Sequence, residues 1–165
     1  AAIDPLHAEG GADPARVGVG GLCAGAFLRE FLVAHCDLFL GGFGGRGGVT
    51  RCLTPFWVDL ERRTFWEAPE VYFAMSPFMN AQRINEPLLM IHGMADNNSG
   101  TFPIQSERLF HAVKGLGGAV RLVMLPNESH GYRARESVMH TLAEMIEWMD
   151  RWVKNPPTGA VISQP

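Results

Sequence analysis

The stretch Gly20-Gly21-Leu22-Cys23-Ala24-Gly25, "GGLCAG", stands between the apolar run "RVGVG" (16–20) and the helical run "AFLREFLVAH" (26–35). A glycine on each side of a nucleophilic residue, one residue removed, between a strand and a helix, is the pattern of a nucleophile elbow. The elbow residue sits in a strained backbone conformation, and the glycines let neighbouring backbones come close to it. Here the position carries a thiol, Cys23, where a hydroxyl is usual. Taken alone the pattern leaves two readings open: a nucleophile, or a small buried cysteine in a tight turn.

Outward from that turn, the chain alternates strands and helices. Residues 1–9 read as a helix end and 16–20 as a short buried strand, followed by a helix over 25–36. A second strand is expected over 37–43, "DLFLGGF". Residues 44–86 lack strand character and hold one short helix around 68–75. "PLLMIHG" (87–93) is uniformly apolar, as suits a parallel sheet covered on both faces. A helix over 103–115, a strand over 119–125 and a long amphipathic helix over 135–154 complete the pattern. In that last helix Val138, Leu142, Met145, Met149 and Trp152 recur at helical spacing and should face the sheet. This alternation predicts an α/β class with a parallel sheet in one domain over 1–154, and a loose tail over 155–165.

Two further residues stand where a triad needs them. Asp96 follows the third strand in "IHGMADNN", and His130 follows the fourth in "NESHGY". The order nucleophile, acid, histidine, with the last two on loops after later strands, is that of a hydrolase triad. All three then lie beyond the carboxyl ends of parallel strands, the edge where ligands bind in open α/β folds. His130 would take the proton from the nucleophile and Asp96 would hold its tautomer. The backbone N–H of Ala24 would face the oxyanion. The bland alternatives are a turn-forming aspartate and an exposed loop histidine. Histidines 7, 35, 92, 111 and 140 are assigned no chemistry. A metal site from His92, Asp96 and His130 is disfavoured for want of ligand spacing, and no cofactor is implied.

Composition narrows the class. With 47% apolar and 19% charged residues in 165, the chain is globular and long enough for a real core. A net charge of −3 gives no electrostatic reason to expect nucleic acid. No apolar run approaches the roughly 20 residues of a membrane span, so the chain reads as soluble. Three cysteines at irregular spacing make neither a disulfide framework nor a CxxC site. The start, "AAIDPLHAEGG", has no signal-peptide pattern and no methionine, so it reads as other than the native start, and no compartment follows.

The segments "RVGVGGLCAGAF", "RCLTPF", "WEAPEVYFAMSPFMNA", "PLLMIHGMADNN", "TFPIQSERLF" and "LVMLPNESHGYRARESVMH" resemble the catalytic domain of the prolyl oligopeptidase family. They are most similar to the branch called glutamyl endopeptidases. The resemblance covers about residues 13–154 and implies the C-terminal half of an α/β-hydrolase fold, with serine-type peptide hydrolysis as the ancestral activity. It carries the family's nucleophile, acid and histidine onto Cys23, Asp96 and His130. Three departures stand against it. The family reads Gly-Gly-His-Ser-Tyr-Gly where this chain reads "GGLCAG", and Arg-Ser-Gly where it reads "RGG" (46–48). The upstream strands and the family's β-propeller are also missing. The strand at 16–20 should be central, so another chain or an upstream segment is expected to complete the sheet.

These residues admit three functions. The first is a peptidase-type hydrolase, with activated esters or thioesters favoured over peptides because a thiolate–imidazolium pair alters proton delivery to an amine. The second is a cysteine-based ester or lactone hydrolase of the dienelactone hydrolase type. The third is a non-catalytic pseudo-hydrolase. A cationic pocket for an acidic substrate could draw on Arg46, Arg51, Arg62, Arg63, Arg133 or Arg135.

Overall fold

The structure, a computed structural model, describes residues 3–54, 56 and 61–157. Four strands, β1 (Gly18–Leu22), β2 (Gly41–Gly45), β3 (Leu88–Gly93) and β4 (Val120–Leu125), lie in sequence order in one parallel sheet. The helices are α1 (Ile3–Ala8), α2 (Ala24–Val33), α3 (Pro69–Ala74), α4 (Ile104–Gly115) and α5 (Arg135–Met149), the last continuing as a wider helical turn over Asp150–Lys154. Short 3-10 helices occupy Arg51–Leu53 and Pro77–Arg83 in the long connection after β2.

All six residues of β3 are buried, which accounts for its apolar run Leu88–Ile91. Successive side chains on a strand point to opposite faces. Leu88 and Met90 therefore join Val33, Val49, Ile84, Leu109 and Val113 on one side. Leu89 and Ile91 join Val123, Leu125 and Trp148 on the other. Two layers of helix thus cover a central sheet, and the loops beyond the strands' carboxyl ends share one edge.

Two expectations shift. β1 lies two residues nearer the C-terminus than the expected 16–20, and β2 begins at Gly41 where the strand is expected from 37. Asp37 and the apolar residues 38–40 precede β2, and Leu38 is 61% exposed. Pairing, not local apolarity, sets this register: Gly18 to Leu22 face Gly41 to Gly45 in order. A strand of four glycines and one phenylalanine is a poor strand former. Two of its glycines, Gly42 and Gly44, lie against Arg29 of α2, and a Cβ on Gly45 would strike the Ile91 carbonyl. A Cβ on Gly42 would stand 3.0 Å from Arg29 Cδ, and one on Gly44 would strike the guanidinium. Arg29 is itself only 1% exposed and pairs with the equally buried Glu30 at 2.6 Å.

The apolar stripe read for 135–154 is only half right. Met145 and Trp152 pack on the core, but Val138 and Leu142 are 39% and 46% exposed. The helix is turned so that Trp148 and Glu144 are its buried residues. Glu144 accepts both the Nε and the Nη2 of Arg121 on β4, at 2.6 and 2.5 Å. A buried carboxylate needs such a partner, and helical periodicity by itself cannot weigh that pairing. The expected tail lies largely outside the described residues, which end at 157.

Candidate active site

The chain turns sharply where β1 meets α2. Cys23 has φ 57° and ψ −118°, a conformation that costs a non-glycine residue of order 1–3 kcal/mol. Its N–H donates to Gly45 O at 2.9 Å, holding the turn against the end of β2. Gly21 is required: a Cβ there would meet the carbonyl of Gly25 and lie 2.9 Å from Ala26 N. Gly25 is not, because a Cβ there meets nothing within 4 Å. The expectation that both flanking glycines serve close approach therefore holds for one of them. Ala24 opens α2, where the first N–H groups of a helix have no intrahelical acceptor.

Asp96 lies in the loop after β3 with its side chain fully enclosed. Its Oδ1 accepts Asn98 N at 2.9 Å, the Asx-turn bond of the bland reading. Its Oδ2 accepts His130 Nδ1 at 2.9 Å, so the turn-former and the partner of histidine are one residue. His130, in the loop after β4, keeps 28% of its side chain exposed. Its Nδ1–H also lies 3.1 Å from Thr101 Oγ1. With Nδ1 protonated, Nε2 of the neutral ring carries the free lone pair.

The structure brings Asp96 and His130 together and stops short of Cys23. The hydrogen bonds of His130 run from Nδ1, and none among the described residues joins its ring to the thiol. Beside Cys23 lies a cavity of about 280 Å³ lined by Cys23, Ala24, Phe27, Arg51, Phe56 and Thr101, among others. Thr101 is its link to the Asp–His pair.

Arg46 is engaged within the protein. It has φ 62°, its Nη1 donates to the His130 carbonyl, and its guanidinium lies 4.7 Å above the Tyr132 ring. Tyr132 in turn donates to Ile91 O at 2.8 Å, and burial pushes its hydroxyl up to about 12. The pair clamps the histidine loop to the sheet. Arg63 is engaged by Glu61 at 2.8 Å. Of the six arginines considered, Arg51 lines the cavity, stacked 3.5 Å over Phe27.

One functional neighbour was missed. His92, assigned no chemistry, is wholly buried and its Nε2 lies 3.0 Å from Asp96 Oδ2. The available signal was a lone polar residue inside an otherwise apolar strand, four residues before an aspartate. Such a group must find partners when buried.

Comparison with known proteins decides the lineage. The profile described as "Prolyl oligopeptidase family" matches residues 1–156. The chain belongs to the prolyl oligopeptidase family. A probable chloroplastic glutamyl endopeptidase of Arabidopsis thaliana is 49% identical over 153 residues, covering 92% of this chain and 16% of that protein. Among solved structures, a puromycin hydrolase superposes with a TM-score of 0.82 at 25% identity, covering 91% of this chain and 24% of that one. The Pyrococcus horikoshii acylaminoacyl peptidase does so with 0.78 at 26%, covering 98% and 28%. The chain thus spans about a sixth of its glutamyl endopeptidase relative and about a quarter of these structures. The fold is the α/β-hydrolase fold of these prolyl oligopeptidase family peptidases.

Proposed function

We propose that this chain carries an acyl-transfer site in which Cys23 is the nucleophile, His130 the general base and Asp96 the residue that orients it. Ala24 N–H serves as an oxyanion donor. The observation that carries the reading is the 2.9 Å bond from His130 Nδ1 to the enclosed Asp96, together with a strained Cys23 at the carboxyl end of β1 on the same sheet edge. In the reaction Sγ adds to the carbonyl carbon and its proton passes to His130 Nε2. The leaving group then takes that proton, and water cleaves the resulting thioester. Activated esters and thioesters are the substrates this suits, because a thioalkoxide departs from the tetrahedral adduct more readily than an amine that still awaits its proton. Peptides, the substrate class implied by the relatives' names, are expected to turn over slowly.

A second reading, a pseudo-hydrolase kept for binding or packing, is favoured by the missing hydrogen bond between His130 and Cys23. Alkylation separates the two. A paired thiol reacts with iodoacetamide at neutral pH about tenfold or more faster than an ordinary cysteine, and it slows to the ordinary rate in His130→Ala. An unchanged rate in that variant refutes the acyl-transfer reading.

The unpaired edge of β1 also calls for a partner. β1 bonds only to β2 among the described residues, and Val138, Met139, Leu142 and Ile146 leave α5 with an exposed apolar stripe. We infer that a further strand, from an upstream segment or another chain, pairs with β1. Hydrogen exchange on the isolated chain tests it: strongly protected amides at 18–22 in a monomer would contradict the inference.

A further inference from the structure

We propose that His92 is a positioning residue that fixes the Asp96 carboxylate for His130. The inference rests on Asp96 and His130 acting as the acid–base pair. His92 occupies the next-to-last position of β3 and is fully buried. Three partners set its ring. Nε2 lies 2.8 Å from Thr101 O and 3.0 Å from Asp96 Oδ2. Nδ1 lies 2.7 Å from Ser106 Oγ on α4.

Chemistry settles which nitrogen holds the proton. A backbone carbonyl can only accept, so Nε2 carries the hydrogen and shares it between Thr101 O and Asp96 Oδ2. Nδ1 of the neutral ring then has a lone pair, and the Ser106 hydroxyl donates to it. Burial draws the imidazole below the ordinary histidine range, which keeps it neutral despite the adjacent carboxylate. The outcome is a rigid donor bolted to strand and helix at its two ends.

Asp96 therefore has three N–H groups on two oxygens. Asn98 N takes Oδ1, while His92 and His130 meet on Oδ2. Two of these come from its own segment and hold the carboxylate plane. The third points out to the histidine that faces solvent. Thr101 ties both rings to one residue, with its carbonyl on His92 and its hydroxyl on His130. Without the His92 donor, Oδ2 has only the partly exposed ring of His130 to hold it. A tautomer set by the neighbour of one nitrogen is the feature most sensitive to that loss.

The test follows the tautomer of His130 by histidine-selective 15N NMR on the 165-residue chain, together with the alkylation rate of Cys23 at pH 7. The parent protein is expected to show the Nδ1–H form. His92→Gln keeps it, because the amide N–H reaches the place of Nε2–H. His92→Leu is expected to convert the neutral ring largely to the Nε2–H form and to slow alkylation about tenfold, as for one lost hydrogen bond to a charged group. Should His92→Leu fail to give a dispersed amide spectrum, Ser106→Ala takes its place. That change frees the His92 ring and is expected to move the tautomer in the same direction by a smaller amount. A folded His92→Leu, or Ser106→Ala in its stead, with the parent's tautomer and rate overturns the proposal. Asp96→Asn separates the two levels: if it too leaves His130 unchanged, the acid–base pair itself is wrong. If it abolishes the Nδ1–H form while the His92 and Ser106 variants do not, the positioning role alone fails.

Discussion

Arg29 and Glu30 form the most demanding contact in the molecule. Both are buried to within 2% of complete enclosure, and they share a single bond of 2.6 Å from Nη2 to Oε1. Arg29 Nε, Arg29 Nη1 and Glu30 Oε2 have no hydrogen-bond partner. Burial lowers the arginine and raises the glutamate from their ordinary ranges, the direction each takes when enclosure opposes its charge. Removing one member strands a buried charge, which costs about 3–5 kcal/mol, whereas replacing both with apolar groups of similar volume is neutral or stabilising by about 1–4 kcal/mol. Arg29→Met and Glu30→Leu should each be severely destabilised, and the double variant should recover to at least the parent's stability. Urea unfolding reads this directly. At a slope near 2 kcal/mol per molar, a 4 kcal/mol loss moves the midpoint by about 2 M. Single variants within about 1 kcal/mol of the parent, or a double variant weaker than both, would show that the pair is solvated and the reasoning wrong.

Two other outcomes can be measured on the same chain. Glu86 is buried, and desolvation raises its carboxyl from 4.5 to about 7. Between those values the folded chain holds a proton that the unfolded chain has lost. Stability should therefore fall by about 2–3 kcal/mol as pH rises through that window. Glu86→Gln should flatten that slope, and parallel pH–Tm curves for parent and variant would exclude it. At the elbow, Gly21→Ala should cost about 1–3 kcal/mol or more and depress Cys23 alkylation, because the added methyl meets backbone atoms of residues 25 and 26. Gly25→Ala should stay within about 1 kcal/mol of the parent, and equal losses in both would contradict the turn geometry.

Much of the architecture was legible because it is local. Apolar runs bounded by glycine and polar loops marked four strands, and the positions of Cys23, Asp96 and His130 just after three of them placed all three on one edge. Strand limits were less legible. The apolar "LFL" before β2 looked more strand-like than the glycines that follow, yet the glycines pair with β1 and make room for Arg29. The face of α5 was misread for a similar reason. Arg121 lies 23 residues before Glu144, and no helical periodicity contains that bond.

The sequence by itself determined the order of elements, the turn position of the thiol between strand and helix, and the placing of Asp96 and His130 on loops just after strands. Each depends on residues within a few positions of one another, where backbone preference and spacing decide. Only the tertiary structure decided that His92 belongs to Asp96, that Arg46 clamps the histidine loop, and that the Asp96–His130 pair forms without a bond to Cys23. Two of these join segments far apart in the chain, Arg46 with the His130 loop and His130 with Asp96, while His92 meets Asp96 four residues on only because the loop after β3 folds back. They depend on distances of a few tenths of an ångström that packing sets and spacing does not.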